Sequence, residues 1–256
     1  MFQIIEYITF LFKSTNQHGV HSPFVYDLVT KCFYDNTRYD AYAQLSEYRS
    51  FLLSNDQVID ITDFGSGSRV FKSNSRAVKA IAKTSGTTAK RAELLYRIAH
   101  YFQPEQTLEL GTSLGIATQA MALGNETNHI LSIEGCPNCA EIAQQQLSNF
   151  NVNNVTIKTG SFETILPKLK DNSYDLIFFD GNHNKTATLR YFNELLNTAH
   201  NDSVFIFDDI HWSKDMVEAW DTIKAHPKVT VTIDTFFWGF VCFRKEQAKE
   251  NFVIRL

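Results

Sequence analysis

No run of lysine or arginine longer than two occurs in the 256 residues, and the formal net charge is −4. The chain therefore lacks the basic patch that attracts a nucleic-acid backbone, and a small-molecule partner is the expectation in its place. The apolar N-terminal stretch, residues 1–12, has no leading positive charge, carries Glu6 inside it and shows no small-residue cleavage site. It is too short to span a bilayer, so neither a signal peptide nor membrane insertion is expected. Cysteine is scarce, four residues in all, and only Cys136-Pro-Asn-Cys139 forms a close pair. Without a second pair there is no zinc site of the usual kind. Reduced thiols without a leader point to a cytoplasmic protein. The Cys136–Cys139 spacing at a helix start resembles a dithiol redox motif, a local likeness that the flanking sequence does not extend. Repeats and low-complexity tracts are missing as well.

What is present is apolar: 44% hydrophobic and 13% aromatic residues, enough to bury one large α/β core and a small appendage. The expected organisation is a mostly helical cap over residues 1–88 and a larger domain over residues 89–256. In residues 1–12, Met1, Ile4, Ile5, Ile8, Leu11 and Phe12 recur at helical spacing, with Gln3, Glu6, Thr9 and Lys13 opposite. The plain expectation is a helix packed by its apolar face on its own domain; a homodimer contact or a substrate lid is the alternative. Ser22-Pro23 reads as an N-cap followed by proline at the first helical position, and further helices are expected over 42–53 and 89–102. From there strands over 106–110, 129–133, 155–159, 174–180 and 203–208 alternate with helices starting near Leu114, Pro137, Phe162, Lys185 and Ser213. That alternation requires a parallel sheet with right-handed crossovers. Two last strands, 229–234 and 240–244, are joined too closely for a helical crossover and must run antiparallel.

The most informative stretch is Thr107-Leu-Glu-Leu-Gly-Thr-Ser-Leu-Gly115, with Glu134 closing the next apolar run 23 residues after Gly111. A strand ending in a Gly-rich turn lets a ligand approach the backbone, and an acid closing the following strand can accept ribose hydroxyls. The turn lacks the middle glycine of the dinucleotide pattern, where a pyrophosphate would sit. With Gly160-Ser161 after a third strand and Asp180 closing a fourth, residues 89–244 resemble the class I S-adenosylmethionine-dependent methyltransferases. The resemblance implies a Rossmann-like, mostly parallel seven-stranded sheet with a reversed terminal strand. It also implies S-adenosylmethionine as cofactor, held by Glu109, Gly111, Thr112, Ser113 and Gly115 at its amino-acid end. Glu134 and Gly135 would meet the ribose, and Gly160, Ser161 and Phe162 the adenine, with Asp180 nearby. A second Gly-rich segment, Asp63-Phe-Gly-Ser-Gly-Ser68, reads as a loop near the mouth of the site, because no acid-terminated strand follows it at the right distance.

Asp180-Gly-Asn-His183 follows one strand and Asp208-Asp-Ile-His211-Trp212 the next. Carboxylates gathered at adjacent strand ends need a cation or protons to neutralise them, and oxygen ligands suit Mg²⁺. The arrangement is similar to the catechol O-methyltransferase-like and sugar O-methyltransferase families, whose metal positions fall here on Asp180, Asp208 and Asp209. His183 stands where those enzymes often carry a lysine and is the candidate general base, with His211 as runner-up. The plain alternatives are a loop histidine and an aspartate pair capping a helix. The reading that results is methylation of a small-molecule hydroxyl. N-methylation without metal, a nicotinamide-dependent oxidoreductase and a silent cofactor-binding scaffold are the competitors.

Overall fold

Residues 1–62 and 73–256 are described in the computed structural model, so the Gly-rich segment 63–68, with Arg69 and Lys72, lies outside the described residues. The chain divides into a unit made of both its ends, Met1–Tyr34 with Glu163–Leu256, and a continuous unit, Asp35–Phe162.

In the first unit the chain opens with α1 (Phe2–Lys13) and α2 (Pro23–Leu28). Ser22 Oγ accepts the Val25 N–H at 3.4 Å and Pro23 takes the first helical position, the start signal read from the sequence. The docking face of α1 is not the expected one. Ile4, Ile5, Ile8 and Phe12 are exposed, whereas Phe10 is buried and Glu6 half-buried. Three contacts decide the orientation. Gln3 Nε2 donates to the Trp212 carbonyl, Glu6 reaches His211, and Tyr7 and Phe10 pack on Phe236 with ring centroids 4.8 and 5.5 Å away.

The continuous unit holds α3 (Ala41–Ser54), a small antiparallel pair β1 (Val58–Asp60) and β2 (Ser75–Ala77), then α4 (Val78–Thr84) and α5 (Ala89–Phe102). Next come β3 (Gln106–Leu110), α6 (Ile116–Gly124), β4 (His129–Glu134), α7 (Pro137–Asn149) and β5 (Val155–Thr159). The strands run parallel, with Leu110 opposite Ile133 and Glu134 opposite Thr159. This register aligns the carboxyl ends of β3, β4 and β5, where such sheets bind ligands.

A single turn, α8 (Phe162–Ile165), leads into the rest of the first unit. It comprises β6 (Leu176–Phe179), α9 (Lys185–Leu195), β7 (Val204–Asp208), α10 (Lys214–Ala225), β8 (Val231–Asp234), β9 (Trp238–Cys242) and β10 (Glu250–Val253). β6 and β7 are parallel, and β9 runs against both β7 and β8. The reversed strand therefore lies between β7 and β8, because residues 235–237 are too few for anything but a turn back. β10 pairs in parallel with β8 and adds an edge strand to the expected seven. Every residue of β6, β7, β8 and β9 is buried, as strands covered on both faces require. The result is an α/β fold with a mostly parallel sheet and one reversed strand.

Candidate active site

In the continuous unit the turn after β3 places Gly111 at φ 107°, Ser113 at 49° and Gly115 at 79°. This folds the backbone so that Gly111 N–H reaches the Ile133 carbonyl at 2.9 Å. Glu134, ending β4, accepts the Ser113 N–H on Oε2 at 2.7 Å and the Cys136 N–H on Oε1 at 2.8 Å. A carboxylate oxygen can accept more than one hydrogen bond. Glu109 is fully buried, its Oε2 accepting the Thr118 and Ser132 hydroxyls at 2.5 Å each. Ser132 in turn contacts the Thr112 hydroxyl at 2.5 Å, so Glu109 supports the turn from inside the unit instead of presenting its charge at a surface. Gly135 and Ser161 are partly exposed, Phe162 is buried, and Gly160 N–H donates to the Glu134 carbonyl at 2.9 Å. The structure thus joins the turn, Glu134 and Gly160 through hydrogen bonds.

Tyr48 of α3 was not singled out by its sequence context. It is fully buried and its hydroxyl donates to the Leu114 carbonyl at 2.9 Å. Burial and the charge of Glu109 push its pKa far up, so the hydroxyl stays protonated as a donor. Cys139 is likewise pushed up, by burial and by the neighbouring Cys136 and Glu134. A thiol in that state is a poor nucleophile.

In the other unit, Asp180 follows β6, and the loop to α9 is shaped by Asn182 at φ 63°, a conformation asparagine tolerates better than most residues. Asn182 Nδ2 donates to the Tyr191 hydroxyl at 2.6 Å, and Tyr191 donates to Glu163, which also pairs with Arg190. Asn184 caps α9 by accepting the Ala187 N–H at 3.0 Å. His183 Nε2 lies 3.5 Å from Asp180 Oδ1, both side chains about a quarter exposed (26% and 24%). Asp208, closing β7, is buried and accepts the Trp238 indole N–H on Oδ1 at 2.6 Å. One donor atom from each of Asp180, His183 and Asp208 lies within 4.8 Å of the others. Asp209, at φ 53°, stands outside that group. His211 sits between two acids, Nε2 2.8 Å from Asp234 and Nδ1 3.3 Å from Glu6, with its ring stacked on Phe236 at 5.0 Å.

Burial disfavours the His183 imidazolium, but the acceptor oxygen of Asp180 beside it and the charges of Asp180, Asp208 and Asp209 outweigh it and raise the pKa from 6.5 to about 9. A raised folded-state pKa stabilises the fold below the unfolded value of 6.5 and loses that contribution as pH rises through about 9. Chelator-treated protein should therefore melt at progressively lower temperature as pH rises across that interval, by more than His183→Gln does. Parallel pH profiles for the two proteins would refute it.

Among the described residues no helix is long and apolar enough to cross a membrane. The sequence model of a family described as a methyltransferase domain matches residues 108–210, which include the turn, Glu134 and both acidic strand ends. No curated protein matches the chain in sequence. Solved structures similar in fold include the SAH-bound methyltransferase PaMTH1 of Podospora anserina. It is 15% identical, with 88% of this chain and 97% of that one covered and a TM-score of 0.61. The O-methyltransferase TomG of Streptomyces achromogenes, in complex with SAM, is 17% identical over 81% of this chain and 91% of its own, with a TM-score of 0.56. A Bacillus cereus O-methyltransferase in complex with SAH is 17% identical over 83% and 95%, with a TM-score of 0.53. Residues 108–210 thus match a methyltransferase domain, and the chain shares the fold of these solved methyltransferases.

Proposed function

We propose that this protein transfers the methyl group of S-adenosylmethionine to a hydroxyl oxygen of a small molecule, assisted by a divalent cation. The observation that carries the cofactor reading is the Glu134 carboxylate, fixed by the Ser113 and Cys136 amides at the end of β4. In that position it can accept two ribose hydroxyls, while the turn from Gly111 to Gly115 offers backbone to the amino-acid end. Gly160, Ser161 and Phe162 would border the adenine, Ser161 by a polar contact and Phe162 by packing. Glu109 acts through Ser132 and Thr112 as a positioning residue for the turn.

The sulfonium supplies an already activated methyl, so the protein is left to align the acceptor and take up its proton. Two structural relatives are named as O-methyltransferases, which favours oxygen as the accepting atom. Two carboxylate oxygens and an imidazole nitrogen within 4.8 Å are a donor set that fits a divalent cation. A cation there would supply Lewis acidity that lowers the acceptor's pKa. Asp180, His183 and Asp208 would hold it, with Asp209 adding negative charge. Both His211 nitrogens are engaged by acids, so it is a positioning residue for the 208–212 loop. Through Gln3 and Glu6, α1 abuts that loop and takes part in choosing the acceptor.

Methyl-labelled S-adenosylmethionine incubated with a panel of hydroxylated acceptors tests the reading. Transfer to at least one acceptor is expected, with a loss of at least about a hundredfold in EDTA and recovery on adding a divalent cation. Chelator-insensitive transfer to amines would move the assignment to nitrogen, and absence of cofactor binding would end it.

A further inference from the structure

The metal-assisted reading above leaves open which ion is used, and on that reading we infer that the site selects a first-row transition ion of the Fe²⁺, Co²⁺ or Zn²⁺ kind, with His183 as a ligand, over Mg²⁺. An all-oxygen site, as expected from Asp180, Asp208 and Asp209, would suit Mg²⁺, which demands near-ideal octahedral oxygen coordination and gives up water reluctantly. The structure instead groups Asp180, Asp208 and His183, leaving Asp209 aside. An imidazole nitrogen beside two carboxylates shifts preference along the Irving–Williams order toward the later, softer ions.

Three features prepare His183 for this role. Its loop is held on one side by the hydrogen bond from Asn182 to Tyr191 at 2.6 Å, and on the other by the Asn184 cap of α9 and the bond from Asn184 Nδ2 to the Asn182 carbonyl, also 2.6 Å. The imidazole therefore loses little conformational freedom on binding. Next, Asp208 is oriented by the Trp238 indole N–H, the kind of outer-shell donor that fixes a metal-ligating carboxylate. Last, His183 Nε2 and Asp180 Oδ1 are 3.5 Å apart. That is longer than the about 2.8 Å of a charge-assisted hydrogen bond, so the two groups have not closed on each other. Neighbouring ligands of an ion with about 2.1 Å bonds stand roughly 3.0 Å apart in octahedral and roughly 3.4 Å apart in tetrahedral coordination, so the observed spacing suits the second and is a small side-chain rotation from the first.

The test uses full-length, tag-free, chelator-stripped protein, titrated calorimetrically with MgCl₂, CoCl₂ and ZnCl₂ at one pH without cofactor. Cobalt binding is also followed by its visible absorption, which reports coordination geometry and ligand field and should shift when the imidazole is removed. One Co²⁺ or Zn²⁺ per chain is expected. In His183→Asp, which restores an all-oxygen set, the Co²⁺ to Mg²⁺ affinity ratio should fall by at least about tenfold. His183→Gln keeps the side-chain volume while replacing the nitrogen donor, and should lower the ratio in the same direction. Melting temperatures of both variants check that they fold. A ratio unchanged in both, or equal affinity of the parent for Mg²⁺ and Co²⁺, overturns the inference. S-adenosylhomocysteine is titrated in parallel. Cofactor binding without any cation binding overturns this inference and spares methyl transfer, whereas no cofactor binding overturns the reading beneath it.

Discussion

Glu134→Ala is expected to weaken S-adenosylhomocysteine binding by at least about a hundredfold, or about 2.7 kcal/mol. Two effects combine. The ribose loses its acceptor, and the amides of Ser113 and Cys136 lose the carboxylate that now accepts them at 2.7 and 2.8 Å. A fully buried donor left without an acceptor costs about 1–3 kcal/mol; these two amides are part-buried and lose less, but the loss falls on the turn proposed to present its backbone to the ligand. Glu134→Gln should land in between, since the amide retains one acceptor oxygen and turns an NH₂ toward the other partner. Calorimetric titration of the parent and both variants measures this directly. An affinity in Glu134→Ala within about threefold of the parent would remove Glu134 from the site.

Gly115→Ala should destabilise the protein by about 2–5 kcal/mol. Gly115 has φ 79°, and a Cβ placed there would stand 2.6 Å from the Tyr48 hydroxyl. The left-handed conformation alone costs an L-residue about 1–2 kcal/mol. Moving Tyr48 aside would break its buried bond to the Leu114 carbonyl, worth about 1–3 kcal/mol to leave unmade. Tyr48→Phe removes the colliding oxygen. It should therefore be less damaging in the Gly115→Ala background than in the parent, a coupling that a double-mutant cycle by urea denaturation reports. Additivity within about 0.5 kcal/mol would show that the collision is not the cause.

The turn proposed to hold the cofactor was legible because its chemistry is local. A strand closing on Gly111, a second glycine at Gly115 and an acid at the next strand end are all written at fixed spacing. The seven strands were legible for a related reason, being apolar runs closed by acids, glycines or turns; α5 falls on residues 89–102 as its periodicity predicts. The docking of α1 was not. Its apolar stripe predicts that Ile4, Ile5 and Ile8 face inward, but the partners that orient it, His211, the Trp212 carbonyl and Phe236, lie some two hundred residues away. Tyr48 reads as an ordinary core aromatic on α3, because the carbonyl it serves belongs to another segment. In β10, Glu250-Asn-Phe-Val is half polar and only Phe252 is buried, so pairing with β8 and not sequence pattern makes it a strand. Asp180 and Asp208 were legible at their strand ends. That His183 and not Asp209 joins them depends on backbone conformations, φ 63° at Asn182 and 53° at Asp209, that composition does not encode.

The unit assembled from both chain ends has a consequence for how the protein is made. Residues 35–162 form contacts among themselves and can begin to fold as soon as they leave the ribosome. Residues 1–34 emerge earlier, yet Thr15 N–H bonds to the Val253 carbonyl, and the Thr15 carbonyl accepts the Arg255 N–H. At bacterial or eukaryotic elongation speeds of about 5–20 residues per second, the helix bearing Ile4, Ile5 and Ile8 waits on the order of ten seconds or longer for its seat. During that interval Phe10, buried once the helix docks, stays open to a nascent-chain chaperone.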